Sequence, residues 1–87
     1  SNPLHIDLLR QTDSTVTIQV AVHVAGDAFF MFQDRHGRVV HTESAMLPEP
    51  GWYEVELSAR ELVPGHYTLQ MSAGAMTITT IVQWPDY

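Results

Sequence analysis

Residues 15–24, Thr-Val-Thr-Ile-Gln-Val-Ala-Val-His-Val, alternate without a break. Val16, Ile18, Val20, Val22 and Val24 fall on one face of an extended chain, and Thr15, Thr17, Gln19, Ala21 and His23 on the other. At helical spacing the same apolar side chains would wrap the whole cylinder, leaving no single stripe to bury. As a strand the segment buries one face, and its backbone then demands strands on either side.

The rest of the chain supplies them. Residues 4–8 alternate, and Thr12-Asp13-Ser14 is a turn cluster before the long run. Ala25-Gly26-Asp27 breaks that run, and residues 28–33 form an aromatic-rich third strand. Asp34-Arg35-His36-Gly37 is a polar tip with Gly37 free to take positive φ, and residues 38–43 return as the other arm of a hairpin over 28–43. Two prolines and a glycine make 46–51 a loop, and 52–57 alternate with Tyr53, Val55 and Leu57 on one face. Tyr67, Leu69 and Met71 mark a sixth strand, Ala73-Gly74 turns it, and 75–83 form a seventh that Pro85 ends. Seven short strands with turns every 8–12 residues predict a single immunoglobulin- or fibronectin III-like antiparallel β-sandwich domain over 1–87.

Composition narrows the function classes. The net charge is −6, lysine is absent and the only fixed cations are four arginines. Such a surface does not displace counterions from phosphates, which excludes nucleic acid as a partner, and it allows at most a peripheral place at the outer membrane. No apolar run reaches the ~20 residues of a spanning helix. Cysteine is absent, so disulfides, thiolate metal sites and cysteine nucleophiles are excluded within the chain.

The most specific local signal is Leu62-Val63-Pro64-Gly65-His66-Tyr67. Leu62 can plug the end of a core, and the Pro64-Gly65 pair suits a tight turn, with Gly65 expected at positive φ. Tyr67, just inside the next strand, can bury its ring and hydrogen-bond back across the corner through its hydroxyl. The pattern extends in both directions: Asp34-Arg35-His36-Gly37-Arg38-Val39-Val40, then Gly51-Trp52-Tyr53-Glu54-Val55-Glu56-Leu57, then the corner with Thr68-Leu69, then Gly74 and an apolar strand to Val82.

This order resembles the C-terminal sorting domain of type IX secretion cargo in Bacteroidetes, and Asn2-Pro3 resembles the end of the Pro-Asn-Pro that often opens such domains. The chain differs in having no basic residue after Arg60 and in the extra alternating run over 16–24. The resemblance implies a non-catalytic module that reaches the cell surface or the medium through the periplasm. Its partner would be the secretion machinery or the host polypeptide, read through the corner and the last strand. The same grammar is similar to that of secreted fibronectin-like modules and of periplasmic copper-resistance sandwiches. These imply a carbohydrate- or protein-binding role, or a His/Met metal-binding role, as alternatives.

Candidate chemistry is sparse. Phe29, Trp52 and Trp84 are expected to face outward by alternation and are the candidate binding residues, for stacking on sugar rings or for a protein contact. Of His5, His23, His36, His41 and His66, the pair His36 and His41 flanks one hairpin end and is the metal candidate; His5 and His23 are cross-strand neighbours if the first two strands pair. No preset ligand spacing occurs, so no metal and no cofactor is expected. Met71 and Met76 are expected inside and Met46 outside. Glu54 and Glu56 share an outward strand face, and Ser1, Ser14, Ser58 and Ser72 lie in no nucleophile-elbow context, so no catalytic residue is expected. Without lysine to guard sheet edges, pairing of Val39-Val40 with a partner or a second copy is a further expectation.

Overall fold

The computed structural model describes residues 4–86; Asn2-Pro3 lie outside the described residues. Seven strands follow in order: β1 His5–Gln11, β2 Thr15–Val22, β3 Gly26–Gln33, β4 Val39–Leu47, β5 Gly51–Ser58, β6 Gly65–Ala73 and β7 Met76–Trp84. They form two antiparallel sheets, β1-β2-β5 and β4-β3-β6-β7, in a sandwich-like arrangement, with no helix among the described residues.

The alternating run does what its pattern requires. Val16, Ile18, Val20 and Val22 are buried in the central strand of the smaller sheet, and Phe30, Phe32, Leu69 and Met71 meet them from the larger one. Burying each such side chain is worth about 1.5–3 kcal/mol. Val24 lies beyond β2 and is half-buried.

Two bulges depart from simple alternation. In β1, Leu8 pairs with Ile18 and Arg10 with Thr17, which leaves Leu9 as the extra residue. The bulge keeps Leu8 and Leu9 at the surface and extends the strand well past the expected residue 8. In the β3–β4 pair, Phe32 faces His41 and Gln33 faces Val39, so Val40 is extra and packs against the core.

Five expectations are corrected. Residues 46 and 47 belong to β4, because Leu47 is needed in the core and pairs with Gly26; the loop is shorter than its prolines suggested. Gly65 is not among the positive-φ glycines; it is the first residue of β6, in register with Trp84. Trp84 is not outward: β7 runs one residue further than expected, and Trp84 shares the inward parity of Val82 and is only 7% exposed. Met76 has inward parity too, but it sits at the hairpin end of β7 and is 38% exposed. Met71 is buried and Met46 exposed, as expected. His5 pairs with Ala21 while His23 lies past the end of β2, so the two histidines are not cross-strand partners.

Candidate functional site

The hairpin tip and the proline-glycine corner, far apart in sequence, meet at one end of the molecule. At the tip, the Asp34 carboxylate organises its own turn: Oδ1 accepts from the backbone N–H of His36 at 2.8 Å and of Arg38 at 3.0 Å, and Oδ2 accepts from Arg38 Nε at 3.2 Å. The N–H of Gly37 donates to the Asp34 carbonyl at 2.9 Å, and Gly37 takes φ 80°, a conformation a Cβ would resist. The backbone N–H of Arg38 holds the Asp34 carboxyl below its usual range; desolvation opposes it, and the N–H of His36 and then the Arg38 guanidinium add to the lowering.

At the corner, the Tyr67 hydroxyl donates to the Val63 carbonyl at 2.5 Å. The Tyr67 ring is buried and stands edge-on to Phe32, at 6.4 Å and 88°. Leu62 is buried beneath it, fixed by its N–H to the Ala59 carbonyl at 3.1 Å. Val63, Pro64 and Gly65 stay at the surface. The two segments line a common shallow recess of about 340 Å³, with Asp34, Arg35, His36 and Arg38 on one side, Val63 to His66 on the other and Tyr67 between. Two of the four arginines of an acidic chain are therefore gathered at this end, beside two histidines.

The candidate aromatic residues are not brought together. Phe29, 57% exposed, lies on the outer face of the larger sheet over a hollow with Met31, Ser44 and Gln70. Trp52, 62% exposed, lies on the outer face of the smaller sheet, and Trp84 is inside. Around Trp52 the register sets up ordered rows. His5, Ala21 and Trp52 form one; Asp7, Gln19 and Glu54 form the next outward row; Arg10, Thr17 and Glu56 follow. The His5 ring meets the Trp52 ring edge-on at 5.1 Å and 62°, and His5 Nε2 lies 2.5 Å from Asp7 Oδ2. Arg10 Nη2 crosses β2 to reach Glu54 Oε1 at 3.0 Å, and Thr17, between their strands, is only 4% exposed despite its outward parity.

The histidines are equally dispersed. His36 is at the tip, in contact with Arg35. His41, on β4, is tucked behind Phe32 between two carboxylates: Nε2 is 2.7 Å from Glu43 Oε2 and Nδ1 2.9 Å from Glu61 Oε1. Glu43 Oε2 also accepts from the Ser58 backbone N–H at 2.6 Å, tying edge strand β4 to edge strand β5 across the two sheets. Among the described residues no three histidine, aspartate or glutamate side chains are grouped to hold a metal ion. Glu54 and Glu56 stand outward and exposed on β5, as their alternation predicts. Val39 is exposed on edge strand β4.

One surface escaped the sequence reading. Exposed Leu8, Leu9 and Ile81 border a groove of about 480 Å³ along the seam between the edges of β1 and β7, pinned at one end by Gln11 Nε2 donating to the Gln83 carbonyl. The bulge at Leu9 creates it, and a bulge has no strong signature in two adjacent leucines. No protein-family model matches the chain, and no curated protein matches it.

Proposed function

We propose that the chain is a non-catalytic accessory module of an exported or cell-surface protein, a single immunoglobulin-related domain whose task is to be recognised by a protein partner. Sorting through a type IX secretion system is the form of that task the resemblance favours. The strand order supports the fibronectin III variant, because β4 pairs with β3 instead of joining β5 as in the constant-type immunoglobulin order.

One observation carries the reading. The two motif segments that resemble sorting domains, 34–40 and 62–69, converge on one recess at the end of the molecule. Tyr67 and Asp34 supply its internal framework, so they hold the shape, while Arg35 and His66 are exposed on its rim. No carboxylate pairs with Arg35 among the described residues, which leaves its guanidinium available to an acidic or carbonyl-rich partner surface.

The test is a fusion of residues 1–87 behind an exported fluorescent protein, in a bacterium with a type IX system and in a strain lacking it. Surface display only in the first supports sorting, and its loss with Arg35→Glu supports the recess as the recognised surface. Periplasmic retention in both strains refutes the sorting role.

A further inference from the structure

The outer face of the β1-β2-β5 sheet is built differently from the corner, and a different partner follows from it. Trp52 projects from edge strand β5 with most of its ring in solvent. The ring is not loose: His5 presses on it edge-on, and Asp7 in turn holds His5. Its neighbour in the row is Ala21, so nothing on β2 rises to cover it. A pre-positioned flat apolar surface is thus open beside a low floor.

The surroundings limit what can occupy it. Asp7, Gln19 and Glu54 form the next row, about 7 Å along the strands. Arg10 and Glu56 lie one row further, with Arg10 reaching back to Glu54. Arg10 bridges Glu54 and His5 bridges Asp7, so an apolar protein patch would have to strip water from both polar pairs and from the carboxylate oxygens they leave free, which is costly. A second copy would bring the same carboxylates and the same net charge of −6 against them. An anionic polymer meets the same repulsion.

A neutral sugar meets none of these costs. The C–H face of a pyranose stacks on an indole ring, and its hydroxyls donate to carboxylates and both donate to and accept from a glutamine amide. We infer that this face is a binding site for a neutral polysaccharide, with Trp52 as the stacking platform, and Asp7, Gln19 and Glu54 as hydroxyl partners. It is independent of the corner recess, and either assignment stands if the other fails.

The two tryptophans make the test direct, since Trp84 is buried and Trp52 exposed. The intact chain is titrated with hydroxyethyl cellulose, xylan and galactomannan, with polygalacturonate as the anionic control, following tryptophan emission and its quenching by iodide. Saturable binding of at least one neutral polymer is expected, with protection of one tryptophan from iodide. Trp52→Ala should weaken binding at least about tenfold, with Trp52→Phe intermediate and Phe29→Ala unchanged. Unchanged emission of Trp84 in Trp52→Ala verifies its fold. Several results would each overturn the inference: no binding to any neutral polymer, binding indifferent to Trp52→Ala, preference for polygalacturonate, or a dimer in sedimentation that Trp52→Ala dissolves.

Discussion

Replacing Tyr67 by phenylalanine isolates one atom of the corner. The hydroxyl donates to the Val63 carbonyl at 2.5 Å, and nothing else in the corner would change shape, since the ring keeps its edge-on contact with Phe32. A neutral hydrogen bond is worth about 0.5–1.5 kcal/mol net, and an acceptor left unpaired inside costs about 1–3 kcal/mol. Val63 is exposed, so water can reach its carbonyl, which pulls the sum back to about 1–2 kcal/mol. In a domain of this size each kcal/mol lowers the melting temperature by about 4–8 °C, so Tyr67→Phe should melt about 4–16 °C lower. Urea unfolding should shift its midpoint by the same free energy with its slope unchanged, because the surface exposed on unfolding is the same. A melting temperature within about a degree of the parent would refute the reasoning: the hydroxyl would then contribute nothing beyond what water supplies.

The glycines of the two converging segments should behave in opposite ways. Gly65→Ala should be neutral or stabilise by up to about 1 kcal/mol, since its φ suits any residue and a Cβ would meet only the Val63 carbonyl at 4.0 Å. Gly37→Ala, at φ 80°, should cost about 1–2 kcal/mol; chemical denaturation of the pair decides, and equal effects would reject the assignment. Acid should loosen the hairpin tip. Because Asp34 titrates below its usual 3.8 in the folded chain, its contribution is complete above that value and fades as pH falls through the lower folded one. The stability gap between the parent and Asp34→Asn should therefore close below about pH 3.8, read from melting temperatures across a pH series; a gap that stays constant would contradict the turn geometry.

What could be read from the chain, and what could not, divides by range of interaction. Period two over residues 15–24 reports only which face a strand buries, and Val16, Ile18, Val20 and Val22 comply. The corner was legible because Tyr67 bonds to a carbonyl four residues back, within reach of a local motif. Gly65 misled for the same reason: Pro-Gly is a turn signal, but the chain turns before it and Gly65 already pairs with Trp84, at the far end of the β6–β7 hairpin. Trp84 is inside because pairing with Gly65 carries β7 on through it, and it then keeps the inward parity of Val82. Bulges at Leu9 and Val40 are subject to the same limit: they reconcile two strands of unequal length, so neither strand alone encodes them. The rows around Trp52 carry this furthest, because Asp7, Gln19 and Glu54 come from three strands and become one surface only through two registers at once. A motif read along one strand places Glu54 beside Glu56 as a pair of solvated carboxylates. Across the sheet the nearer relation is between Glu54, Gln19 and Asp7, and that is the relation a ligand on Trp52 would meet.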